Sequence, residues 1–545
     1  MKFAICQINP TVGDINGNLN KIISFIDKAK ENKADVAIFP ELAITGYSPL
    51  DLLESEEFIN ANLKAVEKLC KFAFGITIIL GFVDKNTSHT GKRLFNAAGV
   101  LSNGKISSIH YKTLLPDHDV FDECRYFEPA RINKPTRINN KKVALVICED
   151  MWQGRLYGMR KLYHRDPLEE LANVGFDIII NISASPYHIG KEKIRNRLII
   201  SEAKRWNKPV ISCNQVGGND DLVFDGTSIA VDSRGEVIGQ AKSFEEDIVI
   251  VDLDSPTKVS YKEYDDVEMV YKALVLGVKD YVRKCGFKKV VIGLSGGIDS
   301  SLVACIAKDA LGKENVLGVS MPTIFSSKSS YKDSEKLAKN LGIKFKVIDI
   351  QPIFESYLNL FKKIFKDSKF SVAEENIQAR IRANILMSIS NKEGYLLLSC
   401  GNKSELATGY VTLYGDMCGG LAVISDVPKT LVYEIVNKVV NKEKKIIPEE
   451  IIEKEPSAEL KPNQKDTDTL PPYNVLDKII KLYIEDKESV KEIMKKFNKR
   501  EVEKVIKMIE NNEFKRRQAP PGIKVTPKSL GIGRKYPIAK KIHLL

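Results

Sequence analysis

The stretch Val290-Val291-Ile292-Gly293-Leu294-Ser295-Gly296-Gly297-Ile298-Asp299-Ser300-Ser301 passes from an apolar, β-branched run through a glycine turn into the first residues of a helix. A short apolar run of this kind reads as a strand covered on both faces, the situation of parallel sheets. Glycines let the backbone approach an anion closely, and the following helix N-terminus adds unpaired N–H groups and the positive end of its dipole. A phosphate cradle is the expectation. It is not a Walker loop, because G-x-x-x-x-G-K-[ST] occurs nowhere in the chain. A tight turn capped by Asp299 or Ser300 would give the same local pattern, so this stretch alone leaves turn and site both open.

Working outward, strands at 289–295, 316–321, 344–350 and 395–401 alternate with helices at 299–311, 331–341 and 373–391, the rhythm of a doubly wound parallel sheet. A helix at 267–285 precedes them, and residues 441–475, dense in Lys, Glu, Pro and Asp, read as a long surface loop. A polar stretch at 255–266 places a boundary near residue 260. Before it the rhythm differs. Strands are expected at 2–8, 36–39, 76–82, 143–148, 177–182, 210–214 and 248–252, with helices at 19–30 and 195–206. Leu19, Ile22, Ile23 and Ile26 fall on one helical face, and Asn103-Gly104 between two apolar runs predicts a hairpin, since both turn positions need positive φ. These elements describe a layered α/β domain with many antiparallel pairings.

The whole chain of 545 residues is long enough for two to four domains, and 43% hydrophobic with 28% charged residues excludes a disordered chain. Its most apolar stretch, 74–83, is far shorter than the ~18 residues a membrane helix needs. Met1 runs straight into Lys2-Phe3-Ala4-Ile5, which reads as a strand and not as a secretory leader, so a cytoplasmic protein is expected. Nine cysteines without C-x-x-C spacing argue against disulfides and structural zinc. The net charge of +12 favours an anionic partner or substrate, and residues 514–545 hold nine Lys or Arg and no acid.

Further segments decide between turn and site. Ser295-Gly296-Gly297-Ile298-Asp299-Ser300 resembles the pyrophosphate loop of enzymes that split ATP between its α- and β-phosphates. It is followed in order by Glu375-Asn376-Ile377-Gln378-Ala379-Arg380-Ile381-Arg382, Gly401-Asn402-Lys403-Ser404-Glu405, Gly409-Tyr410, Tyr414-Gly415-Asp416 and Lys515-Arg516-Arg517-Gln518-Ala519-Pro520-Pro521-Gly522. The ordered set resembles the synthetase domain of the glutamine-dependent NAD synthetases over nearly all of residues 265–545. That resemblance implies that Ser295, Gly296, Gly297, Asp299 and Ser300 bind ATP and its pyrophosphate. It implies Mg2+ on Asp299 and Glu405, deamido-NAD or ATP on Arg380, Lys403 and Lys515, and phosphate contacts for the basic tail. Without it, Asp299 would be a helix cap and Glu405 a solvated loop acid.

In the first half, Glu41 in Phe39-Pro40-Glu41-Leu42, Lys112 in His110-Tyr111-Lys112-Thr113 and Cys148 in Val146-Ile147-Cys148-Glu149-Asp150 stand at or just after strand ends. A strand that stops at a polar turn can project a nucleophile beside free backbone N–H groups. Taken singly, Cys148 would be a small hydrophobe and the other two surface charges. The order Glu, Lys, Cys with these flanks resembles the nitrilase, or carbon-nitrogen hydrolase, superfamily. Phe121-Asp122-Glu123-Cys124-Arg125-Tyr126-Phe127 and Asn181-Ile182-Ser183-Ala184-Ser185-Pro186-Tyr187 strengthen it. Asn214-Gln215-Val216-Gly217-Gly218-Asn219-Asp220 and Phe224-Asp225-Gly226 narrow it to the glutaminase domain of the same synthetases. Pro129-Ala130 departs from the frequent Pro-Gly of the superfamily. The resemblance implies Glu41 as general base, Cys148 as nucleophile, and Lys112 with the N–H of Glu149 as oxyanion site. It also implies Glu123 as a supporting carboxylate and Ser185 and Tyr187 as contacts for glutamine.

The resemblance as a whole implies an α-β-β-α nitrilase-like sandwich over 1–255, a linker over 256–270 and a synthetase domain over 271–545. Its substrates would be glutamine, ATP and deamido-NAD, with no nucleic-acid or membrane partner, and the protein would be a homo-oligomer. Because free ammonia is mostly protonated in neutral water, the fusion further implies an enclosed passage for ammonia from Cys148 to the 295–300 loop. Rival readings are a transfer-RNA-modifying pyrophosphatase with a fused amidase, an asparagine synthetase and a decayed nucleotide-binding regulator. The first usually needs paired cysteines, which Cys285, Cys305, Cys400 and Cys418 do not supply; the second needs Cys at position 2, where this chain has Lys2; the third conflicts with a complete set of acids, Lys112 and Cys148.

Overall fold

The computed structural model describes residues 1–152, 162–366 and 369–541, so the end of the basic tail, 542–545, lies outside the described residues. Two compact units divide the chain, Met1–Glu263 and Tyr264–Leu545.

In the first unit, alternate residues of each strand serve different layers. On Lys2–Gln7, Phe3 and Ile5 face a second sheet while Ala4 and Cys6 face helices, as the two-residue period of a strand requires. One six-stranded sheet runs, edge to edge, Asp247–Asp252, Lys2–Gln7, Val36–Ile38, Thr77–Lys85, Leu94–Ser102 and Lys105–Tyr111. The other runs Val237–Gln240, Ile229–Val231, Val210–Asn214, Ile178–Ser183, Lys141–Ile147 and Thr136–Ile138. Phe3, Ile5, Val36, Ile38 and Ile79 meet Leu145, Ile147, Ile180 and Ile211 between the sheets. Helices Ile15–Glu31 and Glu56–Cys70 cover the first sheet through Ile22, Ile26, Val66 and Leu69. Pro167–Ala172 and Lys191–Trp206 cover the second through Leu168, Leu171, Leu198 and Ile199. The layers are therefore helix, sheet, sheet, helix. The expected hairpin is present, with Asn103 at φ 50° and Gly104 at φ 79°.

The second unit is built on five parallel strands in the order Lys344–Val347, Val316–Ser320, Lys289–Gly293, Tyr395–Ser399, Leu421–Ala422. Lys289–Gly293 lies at the centre, between strands reached by crossovers in opposite directions. The crevice beyond its C-terminal end is the topological switch point of such a sheet, where ligands bind.

Two expectations change. A helix at Gln351–Phe365 was not foreseen, although Phe354, Tyr357, Leu358 and Phe361 recur at helical spacing and form its inward face; only Phe354 is fully buried, and Ile353, Leu360, Ile364 and Phe365 are exposed apolar residues that blur the stripe. The 441–475 segment is largely irregular but not merely a surface loop. Ile447, Ile451, Asp466 and Leu470 are buried, and Glu459 accepts hydrogen bonds from Ser327, Ser330 and Lys454. Those anchors are single residues spaced too widely to form a pattern.

Candidate active sites

Glu41 follows strand Val36–Ile38 in a turn pressed against Gly81, whose N–H donates to Pro40 O at 3.0 Å. A Cβ at Gly81 would lie 2.2 Å from Leu42 N, so only glycine permits this approach. Lys112 directly follows Lys105–Tyr111, the edge strand of the same sheet. Its ammonium donates to Glu41 Oε1 and to Glu123 Oε1, both at 2.7 Å, and all three side chains are buried. Asn96 Nδ2 donates to Glu41 Oε1 at 2.7 Å, Ala184 N–H to Glu41 Oε2 at 2.9 Å, and Tyr47 Oη to Glu123 Oε1 at 2.8 Å. Burial opposes charge on Lys112, but Glu123 and Glu41 outweigh it and hold the ammonium well above the usual lysine range. Burial pushes Glu123 up to about 7, with Lys112 pulling the other way.

Cys148 begins a single helical turn, Cys148–Met151, with its backbone at φ 46°. That left-handed value is strained for any residue but glycine and marks the sharp exit from strand Lys141–Ile147. Asp150 braces the turn. It accepts the N–H groups of Ile147 at 3.1 Å, Thr113 at 3.0 Å and Leu114 at 2.8 Å, fastening Cys148 to the residues after Lys112. Burial, then the charge of Glu41, raises the Cys148 thiol well above its ordinary pKa, with Lys112 acting in opposition. At rest it is a thiol, and it needs a base.

Glu149 is buried and accepts from Tyr163 Oη at 3.0 Å. Ser185 follows the residue that holds Glu41, and Asn214 Oδ1 accepts its N–H at 2.9 Å. Tyr187 is buried with its ring edge-on to Phe244. Ala130 donates its N–H to Lys112 O at 2.9 Å and is not among the positive-φ residues, so the departure from Pro-Gly is harmless to the turn. The sequence reading gave no role to Asn96, Asp150 or the buried pair Arg195–Asp225, whose two contacts are 3.1 and 2.6 Å and whose field reaches Cys148. Each depends on partners distant in sequence, and no local pattern carries that signal.

In the second unit, Gly296 has φ 77°, and a Cβ there would lie 2.4 Å from Ser330 O. Gly297 precedes helix Ile298–Leu311, which has no side-chain cap. Asp299 and Ser300 are therefore not its caps. Ser300 Oγ instead meets Ser295 Oγ at 3.1 Å and donates to Gly297 O at 3.1 Å, shaping the loop. Asp299 pairs with Lys429 and accepts from Asn402 Nδ2 at 3.3 Å. Glu405 is no solvated acid. Asn402 and Glu405 exchange hydrogen bonds of 3.0 Å each as a capping box opening Lys403–Thr408. Burial, then Asp299, raises the Glu405 carboxyl well above the usual range, with Lys429 working against both. Among the described residues no group of three or more His, Cys, Asp or Glu is arranged to hold a metal ion.

One binding assignment needs correction and another is narrowed. Lys403 is completely buried, its ammonium bonded to Glu485 at 2.6 Å, Thr526 Oγ1 at 2.5 Å, Lys528 O at 2.9 Å and Asp426 at 3.1 Å. It ties helix Lys403–Thr408 to the C-terminal segment and presents no face to a ligand. Part of the basic tail is likewise engaged internally: Arg516 bonds Glu513 and the carbonyls of Leu406 and Ala407, Arg534 bonds Glu513 and Glu510, and Lys540 bonds Glu510, while Arg517, Lys535 and Lys541 stay exposed. Lys515 donates to Gly409 O at 2.8 Å and Val411 O at 2.9 Å, and Arg380 to Leu413 O at 3.1 Å; both stay partly exposed.

One unit thus presents an acid–base and thiol centre and the other a phosphate-type loop with facing carboxylates, which is the class of an amidase joined to an ATP-using enzyme. The chain matches the carbon-nitrogen hydrolase family over residues 2–263 and the NAD synthase family over residues 270–519. It is 47% identical over 551 residues to a glutamine-dependent NAD(+) synthetase from Synechocystis sp. and 42% identical over 586 residues to one from Thermotoga maritima, in both cases across 99% of each chain. The solved structure of the Acinetobacter baumannii enzyme with ADP is 38% identical, has a TM-score of 0.78 and covers 98% of each chain. The chain belongs to the glutamine-dependent NAD(+) synthetase family.

Proposed function

We propose that residues 1–255 hydrolyse glutamine to glutamate and ammonia, and that residues 271–545, after a linker over 256–270, use that ammonia and ATP to convert deamido-NAD into NAD, AMP and pyrophosphate. The Lys112 ammonium clasped between Glu41 and Glu123, beside a protonated Cys148, carries the first half. Glu41 accepts the thiol proton and Sγ attacks the carboxamide carbon. Lys112, with an N–H to spare, and the N–H of Glu149 receive the developing oxyanion. Glu41 returns its proton to the leaving nitrogen, then activates water to hydrolyse the thioester. Ser185 and Tyr187 contact the glutamine head group, and Glu123 keeps Lys112 in place.

In the second half, the N–H groups of 295–300 receive the pyrophosphate of ATP while the nicotinate carboxylate attacks the α-phosphorus; ammonia then displaces AMP from the acyl-adenylate. Arg380 and Lys515 contact deamido-NAD or ATP. Asp299 and Glu405 supply two hard, like-charged oxygen donors, and the charge of Asp299 adds to the cost of ionising Glu405, which suits Mg2+ completed by phosphate oxygens. Bound there, Mg2+ would neutralise charge on the leaving pyrophosphate. The reading extends to a cytoplasmic homo-oligomer, for which nine free thiols fit a reducing compartment. No described helix is long and apolar enough to cross a membrane.

The test supplies amide-15N glutamine, ATP, Mg2+ and deamido-NAD together with unlabelled ammonium. NAD carrying 15N, in excess over the fraction expected from free mixing, is the expected product. Absence of NAD would remove the reading, and full dilution of the label would remove the direct hand-over of ammonia.

A further inference from the structure

Asn96, on strand Leu94–Ser102, is 1% exposed, and its carbonyl accepts the Lys112 N–H at 2.9 Å. Its side-chain nitrogen donates to Glu41 Oε1 at 2.7 Å and lies 3.4 Å from Glu123 Oε2. Charge fixes which end of the amide is nitrogen, because the reverse orientation would press a carbonyl oxygen against two carboxylates. Asn96 Oδ1 is then a fully buried acceptor with no donor among the described residues. Natural proteins rarely keep such an atom without a use. It belongs, moreover, to the same amide that grips the general base.

The oxygens of Glu41 are not equivalent. Oε1 takes both Lys112 and Asn96, whereas among the described residues Oε2 takes only the Ala184 N–H. Oε2 therefore has the lone pair for proton transfer, and Asn96 stands beside the carboxyl on the side already committed.

We propose that Asn96 is a further substrate-binding residue of the amidase, its Oδ1 accepting an N–H of the scissile carboxamide. This rests on reading the first unit as a glutamine amidase. The contact holds the departing nitrogen against the carboxyl that must protonate it. As the carbon–nitrogen bond breaks, its electron pair becomes the lone pair of ammonia, the nitrogen takes the proton that Glu41 received from Cys148, and the carbonyl of the thioester re-forms. An ester in the same place offers no N–H, so the acceptor also discriminates: a buried group left unpaired by the wrong substrate is a strong basis for rejection.

Hydrolysis of glutamine and of glutamic acid γ-methyl ester is compared in wild type, Asn96→Ala and Asn96→Asp, with ammonium-driven NAD formation as the measure of intact protein. Asn96→Ala should lower kcat/KM for glutamine about tenfold to a hundredfold more than for the ester, leaving ammonium-driven synthesis unchanged. Asn96→Asp keeps an acceptor and should keep the preference for amide, while its added charge moves the acid limb of the pH profile upward. Equal losses on amide and ester in Asn96→Ala would overturn the proposal, since a residue acting only through Glu41 affects both. Should Asn96→Ala not fold, loss of the amide preference in Asn96→Asp overturns it instead. Failure of the wild type to release ammonia from glutamine would refute the amidase reading and the role of Asn96 with it, whereas equal losses on amide and ester in an active wild-type background refute the role of Asn96 alone.

Discussion

The two centres solve the problem of buried charge in opposite ways. Around Cys148 the protein supplies the whole complement: Lys112 has two carboxylates at 2.7 Å, Glu41 accepts three hydrogen bonds, and Asp150 braces the nucleophile turn with three more. Around the 295–300 loop the complement is thinner: Asp299 has one lysine and a 3.3 Å hydrogen bond from Asn402, Glu405 accepts one backbone N–H, and helix Ile298–Leu311 has no side-chain cap. The difference follows the substrates. A carboxamide is neutral, so an amidase must be preorganised by its own residues. ATP brings its own charge, and a site already neutralised from within would have less to offer it.

The sharpest way to break this contrast is Cys148→Ala. Glutamine-driven NAD formation should fall by at least about a thousandfold while the ammonium-driven rate stays within about twofold. Equal loss from both nitrogen sources in folded protein would show one centre, not two. Asp299→Ala or Glu405→Ala should reduce both activities about a hundredfold or more and weaken the dependence on Mg2+. Full ammonium-driven activity in either variant would mean that these carboxylates do not serve the phosphates.

Lys403→Met probes the synthetase unit where it does supply its own complement. It strands Asp426 and Glu485 in the interior, a cost of about 3–5 kcal/mol, and should lower the thermal transition of that unit without raising KM for ATP at low temperature. A raised KM with an unmoved transition would return Lys403 to ligand binding. The smallest effect concerns pH. Burial raises Glu123 to about 7, so glutaminase kcat/KM should decline about tenfold per unit as pH falls below that value, because protonation releases Lys112. Glu123→Gln, which cannot ionise, should give a lower but flatter profile; an unchanged limb would assign it to another group.

The sequence carried the parts that repeat or punctuate. Period-two strands and the Asn103-Gly104 turn gave the layers, strand ends singled out Glu41, Lys112 and Cys148, and only the family resemblance gave them roles and added Glu123; all four lie in one buried cluster. It did not carry pairings that exist only in three dimensions. Asn96 and Glu41 are 55 positions apart, and Lys429 and Asp299 are 130 apart, with no pattern joining them. Lys403 shows the reverse error. Its place in the Gly401–Glu405 motif made it look like a ligand contact, yet nothing local reveals that four partners already enclose it.

That enclosure also sets an order of assembly. Thr526, which closes on the Lys403 ammonium, is made 123 residues after it, so a nascent chain carries Lys403, Asp426 and Glu485 well before their shell is complete. The helix bearing Glu405 stays incompletely fastened until the last stretch clears the ribosome, whereas the Cys148 cluster draws only on residues within the first half of the message. A chain ended early by a stop codon near position 520 would then be an amidase coupled to no ligase, spending glutamine without making NAD.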